Sequence, residues 1–108
     1  MRHVISYNHY VRGGVLIQSF ANKDTELLFC DGCAKHIPRS LWSRAARKLD
    51  MIDSAYVVED LRTPPGNRLH SLKGDRAGQY SISINDQWRI CFRFEGENAF
   101  DVEICDYH

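Results

Sequence analysis

One hundred and eight residues, 44% hydrophobic and 26% charged, suit a single globular domain with one core. Fourteen basic side chains balance fourteen acidic ones, which argues against a protein that coats nucleic acid by bulk charge. No apolar run approaches the ~18 residues that cross a bilayer, and the opening MRHVISYNHYVRGGV has neither an apolar core nor a small-residue cleavage site, so a soluble chain in a reducing cytoplasm is expected.

In chain order, LIQSF at 16–20 has strand character. Asn22 or Asp24 then caps a short helix around 24–31, with Gly32 placed as its stop. Cys30 and Cys33 with His36 have the spacing of half a zinc site or of a redox dithiol. A second ligand pair at matching spacing is absent, so no metal site is expected. In that compartment the four cysteines read as small hydrophobes rather than as a disulfide framework. Pro38 opens a second helix through LWSRAARKLDMID, where Leu41, Ala45, Leu49 and Ile52 form an apolar stripe that Trp42 and Ala46 widen. Arg39, Arg44, Arg47 and Lys48 lie mostly off that stripe, as a solvated face or as an RNA contact. TPPGN at 63–67 is a turn by composition.

From residue 79 onward the period is two. Tyr80, Ile82 and Ile84, then Trp88, Ile90, Phe92 and Phe94, then Phe100, Val102 and Ile104 alternate with smaller or polar residues. Three half-buried antiparallel strands in a meander follow, joined by loops at 85–87 and 96–98. Because directly opposed residues share a face, Ile84 should face Trp88, Phe94 should face Phe100, and Ile90 should face Ile104. The other face then aligns Ser83, Arg89 and Cys105, brings Arg93 to Asp101, and delivers the tail within about 7 Å of Arg89. The expected fold class is α+β: two N-terminal helices packed on a small antiparallel sheet, the C-terminal three-strand meander plus flanking strands.

Charge is unevenly spread. Residues 62–93 carry six basic side chains against Asp75 and Asp86 alone, while residues 94–108 carry five acids and no lysine or arginine. Strand pairing across a sheet explains that pattern, and so does a polyanion site. RLHSLKGDRAG brings Arg68, His70, Lys73 and Arg76 towards the sheet just before Tyr80, and the chain closes on Asp106, Tyr107 and His108. Metal-independent RNA cleavage needs a base for the ribose 2′-hydroxyl, donors for the charged phosphorane, and an acid for the departing 5′-oxygen. Histidine, lysine and arginine supply those roles. Singly, His70 reads as a surface histidine and Lys73 and Arg76 as turn charges; the convergence of His70, Lys73, Arg89 and His108 on one face is what points to a site.

RLHSLKGDRAGQYSI, NDQWRICF and the terminal DYH, with PPGNRL ahead of them, resemble the HigB branch of the RelE-like toxins, ribosome-dependent endoribonucleases of bacterial toxin-antitoxin pairs. The similarity runs from about Leu16 to His108. It implies a RelE-like fold and an active site lined by His70, Lys73, Arg89, Asp106, Tyr107 and His108. It also implies cleavage of mRNA in the A site of the 70S ribosome by 2′-hydroxyl attack, with translation inhibited and no cofactor. His108 or His70 would transfer protons, Lys73 and Arg89 would hold the scissile phosphate, Tyr107 would stack on a base, Asp106 would orient a neighbouring base, and Arg68 and Arg76 would bind substrate. The implied partner is a HigA-like helix-turn-helix antitoxin, with operator DNA touched only through it and no membrane involved. Family members tend to begin with methionine where Leu16 stands, so the resemblance also makes residues 1–15 an extension upstream of a 16–108 toxin domain. The rival reading is a non-catalytic module on the same scaffold, such as a ParE-like gyrase inhibitor or a co-repressor, relatives that lack the full set of His70, Lys73, Arg89 and His108.

Overall fold

The computed structural model describes residues 17–106, so Leu16, Tyr107 and His108 lie outside the described residues. Asn22 ends an extended entry segment and starts α1 (Lys23–Asp31): its side-chain oxygen accepts the Thr25 backbone N–H at 2.9 Å and the Thr25 hydroxyl at 2.7 Å. Gly32 stops the helix at φ 81°, a left-handed conformation in which its N–H reaches the Leu28 carbonyl. After a 3-10 turn over Arg39–Leu41, the apolar stripe forms α2 (Trp42–Ser54). Leu41, Ala45, Leu49 and Ile52 are buried as the spacing requires, and the half-buried Trp42 donates its indole N–H to the Ile37 carbonyl at 2.8 Å. Trimming Leu49 or Ile52 to alanine would cost about 2–5 kcal/mol.

The sheet runs β1 (His70–Ser71), β2 (Tyr80–Ser83), β3 (Trp88–Glu95) and β4 (Asn98–Asp106), in that spatial order and antiparallel throughout. Its inner face buries Ile82, Ile90, Phe92, Val102 and Ile104 in the same cluster as Leu28, Leu49 and Ile52, giving the α+β layering expected from the sequence. The 16–20 stretch contributes two isolated parallel bridges rather than a continuous strand: Ile17 pairs with Ala99 and Phe20 with Val102. Beyond them the Thr25 hydroxyl accepts the Ile104 N–H at 3.0 Å. The outer edge of β4 is thereby covered, which removes a template for unwanted strand pairing.

The register agrees with expectation at the site end and departs from it at the far hairpin. The Ile84 N–H donates to the Trp88 carbonyl, and Ile90 faces Ile104. Phe94, however, faces Ala99 and not Phe100, because Glu95 and Asn98 close a two-residue loop in place of the three-residue loop expected at 96–98. The missing residue is restored by a bulge between Cys91 and Arg93, where Asp101 sits opposite at φ 55°. Ala99 therefore takes the core position, and Phe100 turns to the other face, its ring 5.1 Å beneath the Arg93 guanidinium. The bulge residue is held at both ends: Arg93 Nε donates to Asp101 Oδ2 at 2.9 Å, and the Asp101 N–H donates to Ser19 Oγ at 2.9 Å.

Candidate active site

The outer face of the sheet carries Ser81, Ser83, Arg89, Cys91, Glu103 and Cys105, alternating with the core residues as period two dictates. Ser83, Arg89 and Cys105 lie in one cross-strand row, as the parity argument requires. Arg89 is buried, and its side chain does not stay in that row. It leans across β2, donating from Nε to Ser81 Oγ at 2.8 Å and from a terminal nitrogen to the Arg68 carbonyl at 2.9 Å. The same terminal nitrogen is 3.2 Å from His70 Nδ1. His70 reaches this position because β1 pairs with β2 in the register His70–Ser81.

Two atoms in that arrangement had no sequence signal. Ser81 looked like one more polar residue of an alternating strand, since nothing in the period says that an arginine will reach diagonally. The Arg68 carbonyl points at Arg89 because Arg68 adopts φ 50°, ψ 50°, a left-handed conformation not foreseen at a non-glycine residue. That turn is fastened from below by Asn67, fully buried, whose amide donates to the Leu61 carbonyl at 3.1 Å and the Thr63 carbonyl at 3.4 Å and accepts from Lys48 of α2. Lys48 and Arg44 thus turn partly inward, Arg44 donating to the Ile84 carbonyl at 3.3 Å. Burial, with Arg44 and Arg47 beside it, lowers the Lys48 pKa.

The remaining expected residues are dispersed around this centre. Lys73 is exposed after β1, at the start of a 3-10 turn over Gly74–Arg76, and its ammonium takes no partner among the described residues. Arg76 turns back onto the sheet: it donates to Gln79 at 3.0 Å, pairs with Glu103 at 3.1 Å, and lies 3.5 Å from Cys105 Sγ. The Arg68 side chain is exposed, 3.9 Å from Asp86. Asp106 ends β4 opposite Trp88, one residue beyond the partner of Arg89, and accepts from Gln87 at 3.1 and 3.2 Å. Tyr107 and His108 follow directly and lie outside the described residues. Among the described residues no group of three His, Cys, Asp or Glu side chains is placed to hold a metal ion. Cys30 and Cys33 are both exposed, and His36 Nδ1 lies 3.2 Å from Asp24.

Chemically, the centre is a guanidinium fixed on a central strand with an imidazole against it. A hydroxyl and a carbonyl set the orientation of Arg89, so its charge has a defined direction. His70 Nδ1 is also 3.2 Å from the Arg68 carbonyl, so the neutral ring either accepts from Arg89 with its proton on Nε2 or donates from Nδ1 to that carbonyl. That pairing suits a phosphate beside a proton-transfer group.

The model of the HigB-like toxins, described as RelE-like toxins of type II toxin-antitoxin systems, matches residues 18–108. Endoribonuclease HigB of Proteus vulgaris is 37% identical over 93 residues, which covers 86% of this chain and 100% of that protein. Toxin HigB-1 of Vibrio cholerae is 43% identical over 58 residues, covering 54% of this chain and 61% of that protein. Among solved structures, the YoeB/ParE toxin from Agrobacterium tumefaciens is similar with a TM-score of 0.47 at 20% identity, over 89% of this chain and 99% of that one.

Proposed function

The chain belongs to the HigB-like, RelE-like toxins of type II toxin-antitoxin systems, and on that premise we propose that it is an endoribonuclease that cuts mRNA in the A site of the 70S ribosome and so arrests translation. Membership in such a family implies an antitoxin partner; the finer proposal is a HigA-like helix-turn-helix protein, through which alone the pair meets operator DNA. The cytoplasm is the proposed site of action, and no helix of the described residues is long and apolar enough to cross a membrane.

The observation that carries the reading is the contact between Arg89 and His70 at 3.2 Å on the outer sheet face. In the proposed reaction a ribose 2′-hydroxyl attacks the adjacent phosphorus, leaving a 2′,3′-cyclic phosphate and a 5′-hydroxyl. Arg89 and Lys73 hold the phosphate and stabilise the extra negative charge of the phosphorane, Arg89 from a fixed position and Lys73 from an exposed, adjustable one. His70 and His108 divide the roles of base and acid. Tyr107 stacks on a base, Asp106 orients a neighbouring one, and Arg68 and Arg76 supply positive charge along the backbone of the message. None of these roles requires a cofactor.

Induction of the wild-type chain and of His108→Ala in growing cells, with mRNA ends mapped beside ribosome profiles, tests this. The expected result is codon-registered cuts inside translated messages for the wild type and their loss in the variant. Growth arrest without such cuts would return the chain to a non-catalytic toxin.

A further inference from the structure

Behind Arg89 two thiols face each other across adjacent strands. Cys105 is the direct cross-strand partner of Arg89, and Cys91 stands two residues along β3 on the same face. Both are free, and their sulfurs are 3.5 Å apart. Cys91 is buried, whereas Cys105 is partly exposed and has an Arg76 nitrogen 3.5 Å from its sulfur. A pair so placed is more than two incidental core residues. The sulfurs need to close by only ~1.5 Å to reach bonding distance, and cytosolic disulfides, where they occur, are transient and redox-sensing.

We propose that Cys91 and Cys105 are a modification site, in which a hydroperoxide converts the two thiols to a disulfide joining β3 to β4 beneath Arg89. The sulfur of Cys105, the reachable member, attacks one peroxide oxygen; the O–O bond breaks, and the departing oxygen leaves as water or alcohol with the thiol proton. The resulting sulfenic acid is attacked by the Cys91 sulfur, the S–O bond breaks, and the hydroxyl leaves as water with the Cys91 proton. Two thiols lose two hydrogens and two electrons, which the peroxide takes up. Cys105 donates its S–H to Cys91, a contact that lowers the Cys91 pKa and, together with burial, raises that of Cys105, so the attack by Cys105 requires its proton to leave as the sulfur reacts.

Drawing the sulfurs together displaces Cys105 on β4, next to Asp106 and opposite Arg89. A shift of that size at a catalytic guanidinium slows the reaction by about tenfold or more. This consequence for cleavage rests on the function proposed above; the disulfide itself does not.

The test uses the full chain carrying Cys30→Ser and Cys33→Ser, so that the exposed thiols cannot contribute, treated with hydrogen peroxide and followed by intact mass, peptide mapping and mRNA cleavage on ribosomes. The expected result is a loss of about two mass units with peptides joined at Cys91 and Cys105, reversed by dithiothreitol and absent when Cys105→Ser is added. Cleavage should fall and recover in step. Sulfinic acid on Cys105 without a cross-link, or an unchanged mass, would overturn the site, and a complete cross-link with undiminished cleavage would overturn its coupling to Arg89. If the reduced chain cuts no RNA, the functional reading fails while the mass still decides the disulfide.

Discussion

Arg89 and His70 meet at 3.2 Å although β2 runs between the strands that carry them, because the arginine crosses over Ser81 and ends against the turn that leads into β1. The centre of the site is therefore built from three strands and one turn anchored by the buried Asn67, and its parts fail in distinguishable ways.

Replacing Arg89 with lysine keeps a positive charge and loses the fork. A single ammonium cannot satisfy Ser81, the Arg68 carbonyl and His70 together. We expect Arg89→Lys to remain folded by circular dichroism while cleavage falls by about 100-fold.

Ser81→Ala removes the acceptor for Arg89 Nε in a buried place, which leaves a charged donor without that partner. The expected cost is about 1–3 kcal/mol in urea unfolding, together with slower cleavage as the guanidinium loses its orientation. Unchanged stability and unchanged activity in this variant would mean that Ser81 does not set the geometry.

Asn67→Ala would orphan the Leu61 and Thr63 carbonyls and release the Lys48 contact at a site with no access to water. A loss of about 2–4 kcal/mol is expected. Lys48→Met should cost less, since it leaves the amide-to-carbonyl bonds in place.

The pKa of Asp50, an exposed residue, is raised above its ordinary value of 3.8, first by partial loss of hydration against the helix surface and then by the charge of Asp53. The folded chain therefore binds more protons than the unfolded chain in the window just above that value. Asp50 favours the fold fully below it, and this contribution disappears as pH rises through the higher folded pKa. Asp50→Asn should accordingly raise the melting temperature slightly at neutral pH and lose that advantage in acid. A variant less stable at neutral pH than at pH ~3.5 relative to wild type would reverse the sign.

At the bulge, Asp101 combines a left-handed backbone with side-chain contacts to Arg93 and Ser19. Asn tolerates that conformation and valine does not. Asp101→Asn should cost about 1 kcal/mol or less, and Asp101→Val about 2–3 kcal/mol, read from chemical denaturation.

Much of this architecture was legible in the residues. The α2 stripe and the row from Ser83 through Arg89 to Cys105 follow from periods of 3.6 and two, and residue type marked Gly32 as the stop of α1 and Asn22, with Asp24 as the alternative, as its cap. The far hairpin was not, because a two-residue loop plus a bulge and a three-residue loop without one both keep Ile90 opposite Ile104, and the choice is made by one backbone angle at Asp101. Within the site, the residue types pointed to Arg89 and His70. The carbonyl of Arg68 and the buried amide of Asn67 carry no residue-type signature at all, since their contribution comes from main-chain conformation and from packing that α2 supplies.

The most direct measurement of the central claim is the chemistry of the cut ends. On ribosomes programmed with a defined message, the purified wild-type chain should leave a 2′,3′-cyclic phosphate and a 5′-hydroxyl, and His70→Ala should cut about 100-fold more slowly with its fold intact. Ends bearing a 5′-phosphate, or undiminished cutting by His70→Ala, would contradict an imidazole and a guanidinium acting together on one phosphate.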